Sequence, residues 1–426
     1  MSLNKYQAPI NKLHQLYMIY YTILLFVILD FIWTQYLAYR NRKRMSPNIP
    51  EQLIGIYDQE KYEKQQAYQK ENSRMGLFSG FISFIIILLI LIFQGFGWLD
   101  QYVRAYTDNM IFVSLMFIGI LYLGNEIVSL PFSLYDTFVI EKKYGFNKST
   151  PKLFWMDQLK SLVLSIILGG VILSLLIWFY GSFGNYAWLY AWGLVTAFTL
   201  FITFFYSNII VPLFNKQTPL EAGELRNAIE EFSDKAGFDL TNIYVMDASK
   251  RSTKANAYFT GLASKKRIVL FDTLINDLST NEIVAVLAHE IGHYKKKHII
   301  QHLITSILYT GALLFILSFF LSSTDLALAL GRNIPSFHLG IIAFSILFTP
   351  ISIILGLLMN ISSRKNEYEA DAYAAGFGLG DSLISGLKKL SVEALSNLNP
   401  DPWNVFIYYS HPTLLQRIER LKLYLN

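Results

Sequence analysis

The sequence predicts a predominantly α-helical, polytopic membrane protein with one small polar unit that carries its own short β-strands. Three observations predict it. The 426 residues are 53% hydrophobic and 15% aromatic but only 16% charged, where an ordinary soluble domain is about 25% charged. Seven apolar runs come close to the roughly 20 residues a helix needs to cross a bilayer. The remaining polar sequence is concentrated in one insert, residues 215–297, which contains an H-E-x-x-H motif.

The apolar runs cover residues 16–36, 77–99, 111–130, 162–179, 187–210, 299–321 and 339–359. The fourth and fifth are split by 181–185 and read as a tight hairpin. The first lacks a small-residue cleavage site and reads as a retained span. Lys and Arg set the orientation. Residues 40–74 hold Arg40, Arg42, Lys43, Arg44, Lys61, Lys64, Lys70 and Arg74, and residues 131–152 add Lys142, Lys143, Lys148 and Lys152. The short loops near Asp100 and Gly184 carry almost no positive charge. By the positive-inside rule the basic loops are cytoplasmic, which puts the N-terminus outside or lumenal and the C-terminus inside. The net charge of +5 is modest, and no basic patch with interleaved aromatics appears, so a nucleic-acid partner is not expected. With no cysteine, thiolate ligands and a Cys nucleophile are excluded.

In the insert, Thr218-Pro219-Leu220-Glu221 reads as a turn with a helix start, followed by an amphipathic run over 224–236. Residues 242–246, 256–261 and 267–271 are β-branched and aromatic and read as strands. Such a sheet lets an extended peptide add to an edge strand. Ser279-Thr280-Asn281-Glu282 has the form of a capping box and starts the next helix, which closes on Lys295, Lys296, Lys297 and His298.

That helix carries His289-Glu290-Ile291-Gly292-His293. Residues four apart share one helix face, so His289 and His293 present two imidazoles to one metal. Glu290 lies beside them, where it can take a proton from an attacking water. This is the zinc-peptidase pattern. A catalytic zinc needs a third protein ligand. After the last apolar run, Glu367 and Asp371 fall on one helix face, while Glu369 points away and is the weaker candidate. Glu367 is therefore assigned as third ligand, and Asp371 as the carboxylate that orients a ligand imidazole. His411, before Pro412 at a helix entrance, and Arg417 are candidates to steady an oxyanion. For His411 a structural capping role is the other reading. His14, His302 and His338 read as structural or interfacial. Asp30 and Glu126 lie at membrane depth, where an ionisable group faces either a polar cavity or a partner.

From about Asn125 onward the chain resembles the CAAX prenyl protease 1 family of integral-membrane zinc endopeptidases. The resemblance rests on Leu130-Pro131-Phe132-Ser133-Leu134-Tyr135 with Phe138-Val139-Ile140-Glu141 and Gly145-Phe146-Asn147, and on Ile210-Val211-Pro212-Leu213-Phe214-Asn215. It also rests on Asn256-Ala257-Tyr258-Phe259-Thr260-Gly261, residues 267–273, the H-E-x-x-H, the Glu367–Asp371 pair and His411-Pro412 with Arg417. A heat-shock membrane protease family shares the H-E-x-x-H but is shorter. Thr413 departs from the family's usual second Pro.

The resemblance implies seven spans enclosing a chamber, with a gluzincin-like zinc site at its cytoplasmic end. It implies one zinc ion held by His289, His293 and Glu367, with Glu290 as base. His411 and Arg417 would contact the reacting peptide, and Asn256 and Ala257 would pair with it. It implies removal of the last three residues from a prenylated CaaX protein, in the endoplasmic reticulum membrane of a eukaryote or the cell membrane of a bacterium. Four regions are expected: 1–214 with five spans, 215–298 as the protease insert, 299–360 with two spans, and 361–426 completing the site. The other readings are a quality-control protease with no prenyl requirement, and a transporter or receptor with an incidental metal site.

Overall fold

The computed structural model describes residues 4–240, 242–260 and 267–425. α1 (Asn4–Lys43) extends well beyond its apolar stretch. α2 (Gln59–Ile92) starts on Asp58, whose carboxylate accepts from Lys61 N at 2.7 Å. The second span was expected to reach residue 99, but the helix stops at Ile92. Gln94 turns left-handed (φ 52°) and a separate helix, α3 (Gly95–Arg104), follows. A straight helix would carry Asp100 onward unpaired. In the turn, its fully buried carboxylate meets Arg104 (2.9 Å), Arg332 (2.8 Å) and His338 (2.8 Å). A buried charge persists only when paired and hydrogen-bonded in this way.

α4 (Met110–Tyr135) is capped by Asn109 and continues through a widened turn, Asp136–Glu141. α5 (Pro151–Leu164) and α6 (Gly170–Ser182) form one span through a similar turn. α7 (Ala187–Phe205) likewise runs on into α8 (Val211–Phe214).

The insert then folds as mixed structure. Where a turn was expected around Thr218, there is a strand, β1 (Gln217–Pro219), antiparallel to its neighbour. It is an outer strand, which tolerates Pro219 because no ladder donor is demanded there. The helix start falls later, in α9 (Glu224–Lys235). β2 (Asn242–Met246), β3 (Ala257–Thr260) and β4 (Arg267–Phe271) complete a sheet of order β1-β2-β4-β3. β2 and β4 run parallel, and β3 lies antiparallel at the open edge. The part of the expected third strand at Gly261 lies outside the described residues.

α10 (Asp272–Asp277) leads to the motif helix α11 (Thr280–Lys295). His298, expected to close that helix, opens the next, α12 (His298–Leu321), after Lys297 turns left-handed (φ 61°). α13 (Thr324–Ala329) precedes α14 (Phe337–Leu347) and α15 (Thr349–Gly376). The seventh span was expected to be one helix over 339–359. It is broken by a 61° bend between α14 and α15, where Pro350 removes a donor from the first turn of α15. α16 (Gly380–Glu393), α17 (Pro402–Tyr408) and α18 (Leu414–Leu425) end the chain. Among the described residues, six helices are long and apolar enough to cross a membrane, and seven spans result if the bent pair counts as one.

The largest core joins the sheet and α11 to α9, α16 and α18 through Phe238, Ile268, Leu270, Ile283, Leu287 and Leu421. Leu53, Tyr57 and Tyr62, between the first two spans, join the same core. The spans pack differently. In their apolar windows only 6–17% of residues are buried, far too few for a bundle closed round a core. Every residue from Leu123 to Ile127 is exposed, a whole helical turn open on all sides. Glu126 and Asp30 are exposed and form no ion pair with a described residue.

Candidate metal centre

α11 is built to be rigid. Ser279 N donates to Glu282 Oε2 (2.8 Å) and Ser279 Oγ accepts from Glu282 N (3.4 Å), completing the expected capping box. The buried Glu282 carboxylate also accepts from Ser385 (2.6 Å) and Lys389 (2.7 Å), which pins α16 to the start of the helix. Ile283, Ala285, Leu287, Ala288 and Ile291 are buried, so α11 is enclosed nearly all round.

At its far end His289 Nε2 and His293 Nε2 lie 3.2 Å apart. Glu367, buried on α15, places Oε2 3.5 Å from His289 Nε2 and Oε1 3.3 Å from His293 Nε2. Tetrahedral bonds of 2.0–2.1 Å put neighbouring ligand atoms about 3.3 Å apart, and all three separations fall near that value. Glu367 Oε2 is buried with no hydrogen-bond partner, a cost a metal removes. The donor set of two imidazoles and a carboxylate thus fits a divalent cation.

Asp371 is fully buried and accepts from His289 Nδ1 at 2.8 Å. With the proton on Nδ1, Nε2 presents its lone pair to the metal position. Arg417 grips Asp371 through Nε (2.9 Å) and Nη2 (2.6 Å), and its Nη1 lies 3.6 Å from Glu367 Oε2. Burial pulls the His289 ring down, but Asp371 and Glu367 push it further the other way, to about 9. The metal-free ring therefore holds its proton at neutrality, and a metal must displace it.

His411 is exposed, with Nε2 3.3 Å from Glu367 Oε1, so it reaches the centre from the open side. Arg364 holds its segment by donating to the carbonyls of Val405 (3.2 Å), Phe406 (3.1 Å) and Tyr409 (2.5 Å). Glu290 is half-buried and makes no side-chain hydrogen bond among the described residues, leaving its carboxylate free. Asn256 O accepts from Phe271 N (3.0 Å), so Ala257 faces the open edge of β3 by the antiparallel alternation. There the Ala257 N–H is held only by Asn256 Oδ1 at 2.8 Å. Phe259 packs on Tyr294 (5.6 Å), which sets β3 beside the motif helix.

One residue escaped the sequence reading. His298 is buried with Nδ1 3.0 Å from His293 Nδ1, and its Nε2 lies 3.2 Å from Glu369. The signal was a fourth histidine five residues after the motif, read there as a helix end. Glu369 points away from the centre as expected and finds its place on His298. His302 meets Asn366 (3.2 Å), and His338 is locked on Asp100, both structural positions, while His14 is exposed.

The model of a CAAX prenyl protease N-terminal region with five membrane helices matches residues 38–216, and that of peptidase family M48 matches 219–424. The chain is 36% identical to the CAAX prenyl protease 1 homolog of Oryza sativa subsp. japonica over 94% of its own length and 96% of that protein's. The belonging is plain at that level. The chain is a member of the CAAX prenyl protease 1 family of M48 peptidases. It is also 36% identical to CAAX prenyl protease 1 of Saccharomyces cerevisiae, over 93% of each chain, and 32% identical to the Homo sapiens homolog, over 95% of each. The crystal structure of S. mikatae Ste24p superposes with a TM-score of 0.90 at 34% identity, covering 95% of this chain and 99% of that one. This family member is thus a multi-span membrane metallopeptidase acting on peptide or protein substrates.

Proposed function

We propose that the protein is a zinc endopeptidase that removes the last three residues from prenylated CaaX proteins. One observation carries the reading: the near-tetrahedral triangle of His289, His293 and Glu367 lies beside an open edge strand. His289, His293 and Glu367 would hold the zinc, which when bound acidifies a water and polarises the scissile carbonyl. Glu290 takes the proton of the attacking water and delivers it to the leaving amine. His411, reaching in from solvent, steadies the oxyanion. Arg417 contributes mainly by holding Asp371 and Glu367 in place. The substrate lies as an added strand on β3, replacing the Asn256 side chain at the Ala257 N–H. Four functional regions follow the chain: membrane helices over 1–214, the protease insert over 215–298, two further spans over 299–360, and the site-completing segment over 361–426. The basic loops put the site on the cytoplasmic face, in the endoplasmic reticulum membrane of a eukaryotic host or the cell membrane of a bacterial one.

The test compares a farnesylated CaaX peptide with its unprenylated twin, with and without a zinc chelator. Cleavage of the farnesylated peptide alone, abolished by the chelator, is expected. Equal cleavage of both would favour general quality control of membrane proteins. Glu290→Gln is expected to keep its metal and lose hydrolysis; near-normal turnover by that variant would sink the mechanism.

A further inference from the structure

A polar cavity of about 660 Å³ lies where the fourth and fifth spans meet the sheet of the protease insert, lined from the sheet by Gln217, Tyr244 and Arg267. Its charged lining is lopsided: Lys160, Lys216, Lys250 and Arg267 face a single acid, Asp247. That acid is already committed, since its Oδ1 accepts from Lys216 N (2.8 Å) and Asn215 Nδ2 (3.2 Å). None of the four cations forms an ion pair with a described residue. Lys160 Nζ donates to the Leu213 carbonyl (2.8 Å) and lies 5.8 Å from the centre of the Phe214 ring. The Arg267 guanidinium stacks on Tyr244 (4.0 Å) and donates through Nη2 to Gln217 (3.2 Å), while its Nε is buried with no acceptor. The neighbouring cations have acid partners, Arg251 with Asp157 and Lys254 with Glu141, although Arg251 Nη1 is also buried without an acceptor.

Four converging positive charges repel one another, and a buried guanidinium donor without an acceptor costs free energy. An anion in the cavity removes both costs. The level of the cavity identifies the source. Lys160 belongs to the helix of the fourth span, and Leu213 to the end of the fifth. Leu159 and Leu213 are exposed beside it and offer an apolar bank to acyl chains. Basic pockets between spans at a membrane surface bind phosphate-bearing headgroups. We propose that this cavity binds the phosphate of an anionic phospholipid headgroup, with half-buried Arg267 as the anchor and the three lysines around the rim.

The test uses the full-length metal-loaded protein in nanodiscs of phosphatidylcholine with or without phosphatidic acid. Lipid retained after transfer to detergent is read by native mass spectrometry. The wild type is expected to retain phosphatidic acid in preference to phosphatidylcholine. The triple variant Lys160→Gln, Lys216→Gln, Lys250→Gln leaves Arg267 in place and is expected to fold. It should lose about fivefold of the preference per lysine, on the order of a hundredfold in all, with peptide hydrolysis in phosphatidylcholine unchanged. Arg267→Gln should lose the preference as well. Equal retention of the two lipids by the wild type overturns the proposal, as does an undiminished preference in the folded triple variant. Thermal stabilisation by soluble inorganic phosphate, with no preference among lipids, overturns the lipid as source.

Discussion

Gly292→Ala is the sharpest probe of how the metal centre is held. At Gly292 the motif helix α11 lies directly against α15. A Cβ there would lie 3.0 Å from Tyr373 Cβ, 3.1 Å from Ala370 Cα and 3.2 Å from the Ala370 carbonyl oxygen. Non-bonded carbons prefer about 3.5–4.0 Å, so the helices must part by roughly 0.5 Å at this point. Two of the obstacles are backbone atoms, which cannot swing aside. Glu367 rides on α15, and its 3.5 Å separation from His289 Nε2 would open to about 4 Å, against a tolerance of about 0.2 Å in ligand distance. A metal would have to pull the helices back together. Overpacking of this kind costs about 1–3 kcal/mol, which is roughly a 5- to 150-fold loss of metal affinity. The assay is competition with a graded series of chelators, read by elemental analysis, alongside thermal unfolding of the metal-free protein. Affinity is expected to fall while the metal-free variant, free to relax, unfolds close to the wild type. A variant that binds metal as tightly as the wild type would refute it.

Three further outcomes follow from the same geometry. His298→Ala is expected to lower metal affinity by about 10–100-fold, because His298 carries the Nδ1 proton of His293 towards Glu369; Glu369→Gln should do the same more weakly, and unaltered chelator competition in both would remove the relay. The His289 ring, raised from 6.5 to about 9, makes metal affinity rise about tenfold per pH unit up to about 9, with one proton released per metal bound near neutrality; the metal-free fold gains from that proton fully below pH 6.5 and loses the gain as pH climbs to 9, so calorimetry in buffers of different ionisation enthalpy checks both signs. Glu282→Gln keeps the shape of the side chain but removes the charge that Lys389 and Ser385 meet, and should cost about 1–3 kcal/mol in thermal unfolding; burial opposes ionisation of Glu282, but those partners hold it at about 2, so in the wild type this contribution is present above pH 4.5 and lost as pH falls towards 2.

Much of the site was legible because its chemistry is written at fixed spacings. The capping box at Ser279 fixed the phase of α11, and the four-residue interval put His289 and His293 on one face. Glu367 and Asp371 came from the same reasoning. What failed was of another kind. Residues 93–99 are apolar enough to continue a span, and only the three partners of Asp100, two of them more than two hundred residues away, show why the helix must turn there. His298 looked like a helix end because a left-handed Lys297 leaves little trace in sequence, yet that residue is what folds His298 back on His293. The strand at Gln217–Pro219 was hidden by Pro219, which argues for a turn until an edge position makes it harmless. In each case the deciding contact is long-range, where local propensity carries little weight.

These long-range contacts join the centre to the membrane. His289 and His293 stand on a helix that becomes the sixth span after a single left-handed residue, and Glu367 stands on the unbroken extension of the bent seventh. The third contributor, α18 with Arg417, touches both, holding Asp371 of α15 and bringing its Nη2 to 3.3 Å from His289 Nδ1 of α11. No soluble fragment contains all three. The insert alone would keep the two histidines and lose Glu367, Asp371 and Arg417 together, which strips His289 of the carboxylate that fixes its tautomer. A rigid centre above loosely packed spans follows from this arrangement. The charge network at Asp100 anchors the far ends of the spans, and the core around α11 anchors the near ends.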